Sequence, residues 1–84
     1  MIVDVFLIIS NYENRIKVHG VFTREKVEET YRILDSCKPD SFIREKLGSY
    51  NTKYYRLSED GNQIFEEQLY VQKQQLVGDI KLSN

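Results

Sequence analysis

Ile2-Val3-Asp4-Val5-Phe6-Leu7-Ile8-Ile9 decides the fold class of this 84-residue chain. The run is almost wholly β-branched or aromatic, and such side chains fit a pleated, packed surface. Eight residues are too few to cross a bilayer as a helix, which takes about 20. The run also lacks the basic lead-in and small-residue cleavage site of a signal peptide. Side chains alternate along a strand. Val3, Val5, Leu7 and Ile9 therefore share a purely apolar face, and Ile2, Asp4, Phe6 and Ile8 share the other. A strand apolar on both faces needs cover on both. One helix supplies only one cover, so a second element or a second chain has to supply the other.

Composition narrows the class further. The chain is 40% hydrophobic and 30% charged, which suits one small globular domain rather than a disordered segment. Twelve basic and thirteen acidic residues leave a net charge of -1. That is neither the basic footprint of an electrostatic nucleic-acid binder nor the dense negative charge of a DNA mimic. A single cysteine, Cys37, cannot close an internal disulfide, so a reducing cytoplasm is the expected setting. Cys37 and the single histidine, His19, cannot complete a metal site by themselves. No metal, cofactor or membrane partner is expected.

Outward from the first strand, Ser10–Arg15 is rich in turn formers and reads as a hairpin loop. Ile16–Phe22 reads as the returning strand, with Ile16, Val18 and Phe22 on one face and Lys17, His19 and Val21 on the other. Gly20 marks a bulge or a close approach of another backbone. Thr23 is a good N-cap for an amphipathic helix over Arg24–Ser36, whose stripe is Val27, Tyr31 and Leu34. Its charged remainder reads as a solvated face, with Glu28–Arg32 in the favourable i,i+4 order. This helix is expected to pack on the purely apolar face of the hairpin. Pro39 breaks it, and 41–47 reads as a short helix capped by Asp40 or Ser41 and stopped by Gly48.

Thr52–Leu57 reads as a third strand. The following segment has two readings. In one, Asp60-Gly61 turns a tight hairpin and a strand returns through Gln63–Gln72. In the other, Ser58 caps a helix to Leu76, with Phe65, Leu69 and Leu76 on its stripe. The Glu/Gln/Lys-rich composition favours the helix, and Glu67 spoils the strand's apolar face. The residues after Gly78 form a tail, loose or adding an edge strand through Ile80 and Leu82.

The residues offer little for catalysis. His19 titrates near neutrality and is a candidate base, but no nucleophile or carboxylate is forced beside it, so a strand histidine without chemistry is the plainer account. Cys37 follows a helix C-terminus, which does not activate a thiol, and reads as a small packing residue. The tyrosines are more informative. Tyr50, Tyr54 and Tyr55 lie within six positions, beside Lys53 and Arg56. Tyr and Arg dominate binding hot spots. They also serve ordinary strand packing, and Tyr54 and Tyr55 must face opposite ways. Tyr50, Lys53, Tyr54, Tyr55 and Arg56 are the candidate protein-binding residues.

Two resemblances add to this. A strand, a polar turn with Tyr12, then Val18-His19-Gly20-Val21-Phe22-Thr23 entering a Glu/Lys-rich helix resembles small uncharacterised proteins of phages and mobile elements in Gram-positive bacteria. It implies a binding role and carries over no functional residue. Tyr54–Gly61 followed by Ile64-Phe65-Glu66-Glu67 resembles the wing and next helix of MarR- and PadR-type winged-helix regulators. That would make Arg44 and Lys46, in the candidate recognition helix, the DNA-binding residues, although the chain opens with a hairpin rather than helices.

The expected fold is α+β in a single domain. An N-terminal β-hairpin and a third strand form an antiparallel sheet, the central helix packs on it, and a C-terminal helix follows. The expected function is non-catalytic protein binding, concretely a phage or mobile-element inhibitor of a host or defence protein such as a CRISPR protein, with a homodimer as a further partner state. The rivals are a small winged-helix DNA-binding regulator, a small enzyme using His19, and a ligand or nucleotide sponge at a dimer interface.

Overall fold

Residues 2–77 are described by the structure, a computed structural model. The order is β1 (Ile2–Tyr12), β2 (Arg15–Phe22), α1 (Arg24–Ser36), β3 (Ile43–Gly48), β4 (Asn51–Leu57) and β5 (Gln63–Val77). All five strands form one antiparallel sheet in the order β2-β1-β5-β4-β3. The apolar run thus extends into an eleven-residue strand, flanked by β2 on one side and β5 on the other.

The α+β class holds, with more sheet than the sequence suggested. Ser58–Leu76 is not a helix. The returning strand wins, running fifteen residues and pairing with β1 from Ile2↔Val77 to Asn11↔Gln68. The Gln- and Glu-rich composition has helical propensity, but pairing on both edges in the middle of a sheet overrides it. A five-residue turn joins β4 to β5. Gly61, at φ +84°, donates its N–H to the Ser58 carbonyl at 3.0 Å, and Ser58 N–H reaches the Asn62 carbonyl at 2.8 Å. The expected 41–47 helix is also a strand, because six residues make a marginal helix but can be templated by β4. The proposed edge strand through Ile80 and Leu82 lies outside the described residues.

Two bulges set the faces of the sheet. Opposite Ile8/Ile9, β2 carries His19 as an extra residue, with Ile8↔Gly20 followed by Ile9↔Val18. This confirms the bulge at Gly20 and changes the parity of β2. Ile16, Val18 and Val21 now share one face, and Lys17, His19 and Phe22 the other. Gly20 lies at φ +153°, and a Cβ there would meet the Phe22 ring at 3.0 Å. The backbone conformation favours glycine, and a side chain there would press on the far end of the Phe22 ring. The second bulge falls where Tyr54↔Glu67 is followed by Tyr55↔Phe65. It moves Phe65 off the face of Leu69.

α1 covers the Phe6/Ile8 face, the one containing Asp4, not the purely apolar face. Phe22 lies opposite Phe6 on that side, and the helix begins two residues later. Thr23 Oγ1 caps it, accepting from Lys26 N–H at 3.4 Å. The core beneath is Phe6, Ile8, Val27, Tyr31, Tyr54 and Leu69. Asp4 is accommodated at the rim, 3.5 Å from Lys73 Nζ and 4.0 Å from Arg24 Nη2. Tyr31 shares a hydrogen bond of 2.8 Å with Thr52 Oγ1 and donates to the Leu69 carbonyl at 3.1 Å. Glu28 and Arg32 pair at 3.2 Å as their spacing predicts.

Candidate functional site

The side of the sheet away from α1 is the most unusual surface of the molecule. Register places Val3, Val5, Leu7 and Ile9 of β1 on it, beside Val18 and Val21 of β2 and Tyr70 of β5. Ile16 lies at one end and Leu76 at the other. Among the described residues, no helix or loop packs over this face. Val21 is 61% exposed and Val18 53%. Ile9 is 5% exposed yet stands outside the α1-side core, so its own neighbours on the sheet cover it.

The face divides into two halves. Across β2, β1 and β5 the interspersed polar residues are Asn11, Gln68, Gln72 and Gln74, and no charged side chain occurs. Across β5, β4 and β3 it is aromatic and charged. Tyr55 and Phe65 meet edge to face with centroids 5.8 Å apart. Tyr55 donates to Glu45 Oε1 at 3.0 Å, and Lys53 lies opposite Glu45.

The candidate binding residues separate accordingly. Tyr55 and Lys53 lie on the open face. Tyr54 does not reach a surface at all: it is fully buried on the α1 side of the sheet, at 0% exposure, with Phe42 against its ring. Its hydroxyl donates to Asp35, and burial followed by that hydrogen bond pushes its pKa far up. Tyr50 is half-buried, edge to face with Tyr31 at 5.6 Å. Arg56 points to the α1 side and pairs with Glu66. Phe65 is the aromatic of the open face that sequence reasoning missed, because simple alternation put it with Leu69.

Of the two DNA-contact candidates, Arg44 is engaged structurally. Arg44 Nε donates to Asp35 Oδ1 at 3.2 Å, and its Nη2 donates to the carbonyls of Asp35 at 3.0 Å and Lys38 at 3.4 Å. It thus caps the C-terminus of α1, whose last turn has no basic residue of its own. Lys46 lines an open cleft of about 410 Å3 between α1 and the β3–β4 hairpin, with Glu28, Arg32 and Asp35 across from it. Charges of both signs there give no anion-selective field.

His19 Nε2 lies 2.6 Å from Ser10 Oγ. Ser10 is 2% exposed. A serine–histidine pair meets one requirement of nucleophilic catalysis, but a third group orienting the imidazole is absent from its hydrogen bonds, among the described residues. Burial lowers the His19 pKa, and Lys17 and Lys38 lower it further against a smaller opposing effect of Glu67. Lys38 Nζ is itself held by Glu67 at 2.6 Å. A depressed histidine pKa means the unfolded chain takes up the proton first. Stability is therefore complete above the unfolded value of 6.5 and declines as pH falls below it. The urea midpoint is expected to drop between pH 7.5 and pH 5.5, and to drop less in His19→Gln. Equal drops in both proteins would remove His19 as the cause.

Cys37 is exposed rather than packed. Among the described residues no group of three or more His, Cys, Asp or Glu could hold a metal, and no helix is long and apolar enough to cross a membrane. In comparisons with known proteins, no family model, curated protein or solved structure matches the chain.

Proposed function

We propose that the chain is a non-catalytic protein-binding module that presents the β5–β4–β3 half of its open face to another protein. The observation that carries this reading is the Tyr55–Phe65 pair, an aromatic cluster on a sheet face with no cover among the described residues. Aromatic anchors on a rigid sheet lose little conformational entropy on docking. Lys53 and Glu45 beside them provide a polar rim. The concrete version is a phage or mobile-element product that binds and inhibits a host or defence protein, such as a CRISPR protein, in the bacterial cytoplasm. The resemblance of Val18–Thr23 and the helix after it to mobile-element proteins supports that version. The DNA-binding alternative loses its recognition helix, since 41–47 belongs mostly to β3 and Arg44 is engaged with α1.

The test is capture from a bacterial host lysate, with mass identification, by the native chain, Tyr55→Ala and Phe65→Ala. Each variant should keep the native circular dichroism and lose the captured protein, because a hot-spot truncation costs about 2 kcal/mol or more, roughly a thirtyfold loss of affinity. Undiminished capture by both variants, or capture of nothing by the native chain, overturns the reading.

A further inference from the structure

We infer that the charge-free half of the open face, across β2, β1 and β5, is the interface of a symmetric homodimer, occupied by a second copy of this chain. The inference shares the open face with the proposed function but rests on different residues.

Area is the first argument. A compact monomer of 10.0 kDa has an accessible surface of about 5,200 Å2. This chain has 6383 Å2. Its smallest dimension is 18 Å, the thickness of one sheet and one helix layer. The excess belongs to a flat, elongated chain 56 Å long, and the uncovered three-strand face is part of it; a stable interface asks about 800 Å2 of each partner.

Charge is the second. A two-fold axis sets each residue against its own surface patch, so a charged patch repels itself. The α1 side carries Asp4, Lys17, Arg24 and Lys73. The opposite side of the same three strands carries none. Besides the Tyr70 hydroxyl its polar groups are amides. Gln68 is held within the chain, donating to Asn51 Oδ1 at 2.7 Å, while Gln72 and Gln74 each both donate and accept, so they pair with their own copies as readily as with another protein.

Geometry is the third. Two such faces stack as a β-sandwich at ~10 Å, with Leu7 and Val18 of one chain between the equivalent rows of the other. Ile9, already shielded by its neighbours, lies at the centre of the patch.

Light scattering on the full chain tests this at up to about 500 µM, far above the micromolar dissociation constants at the weak end for interfaces of this size. The native protein should have twice the 10.0 kDa chain mass, and Leu7→Lys should have the single-chain mass with unchanged circular dichroism. Should Leu7→Lys fail to fold, Val18→Lys on β2 asks the same question at a position already half exposed. Isotope-filtered NOEs between labelled and unlabelled chains should join Leu7, Val18 and Val21 across the interface. A native protein that stays single-chain throughout overturns the inference, whether residues 78–84 or a foreign protein then proves to cover the face. So does a dimer whose cross-chain contacts lie on the α1 side, or one that survives both lysines. Tyr55→Ala should leave the dimer intact, so loss of partner capture and loss of dimerisation are read separately.

Discussion

Tyr54→Ala lowers the stability of the domain by about 3–5 kcal/mol, a large share of the roughly 4–12 kcal/mol that 84 residues provide. The ring is fully buried between the sheet and the chain following α1. Phe42 packs on it with centroids 6.5 Å apart. Two cations lie within cation–π range of the same ring, Lys38 Nζ at 5.6 Å and the Arg44 guanidinium at 5.5 Å from its centroid. Its hydroxyl meets Asp35, which also receives Arg44. Alanine removes the filling of this site and leaves two cations and a carboxylate around a cavity. Tyr54→Phe isolates the polar part: it keeps the ring, leaves Asp35 with Arg44, and should cost about 1–2 kcal/mol. Urea unfolding of the three proteins measures both numbers. An alanine variant within 1 kcal/mol of the native chain would mean that Tyr54 is not the keystone between α1, β3 and β4.

Tyr54 also shows how far the sequence can be read. Alternation says that Tyr54 and Tyr55 oppose one another, but not which is inside. That choice follows from α1 sitting over Phe6 and Ile8, which in turn follows from Phe22. Phe22 reaches the α1 side because the bulge at His19 inserts one residue into β2. A bulge has no period and leaves only Gly20 as its trace. The second bulge, opposite Tyr54/Tyr55, leaves no glycine, and so the placement of Phe65 was illegible. Elements defined by strong local chemistry were legible. The hairpin, the Thr23 cap, the exact span of α1 and its Val27/Tyr31/Leu34 stripe all follow from nearest neighbours. Strands made by pairing alone were not. β3 and β5 have helix-compatible composition, and only their long-range partners make them strands. The candidate site was half legible for the same reason. The purely apolar face of β1 was plain, while the helix expected on it packs on the other face, over Phe6 and Ile8.

The adjacent residues Ile8 and Leu7 convert that topology into a measurement. Ile8 is fully buried beneath α1, with Leu69 and Tyr31 in the same core. Ile8→Ala should cost about 2–5 kcal/mol, the range for truncating a buried aliphatic side chain. The cost should not change with protein concentration, because nothing it removes lies between chains. Leu7 is half-buried on the opposite face. In a monomer its truncation uncovers little, and Leu7→Ala should cost less than about 1 kcal/mol. In a dimer the native state gains a further stabilisation that rises with concentration by mass action. Leu7→Ala weakens that association, so its cost should grow as the protein is concentrated while that of Ile8→Ala stays constant. Unfolding both variants at two concentrations a hundredfold apart separates the cases. A Leu7→Ala cost as large as that of Ile8→Ala at the lower concentration would place Leu7 in a covered core within one chain. A small cost at both concentrations would leave the open face without a second copy.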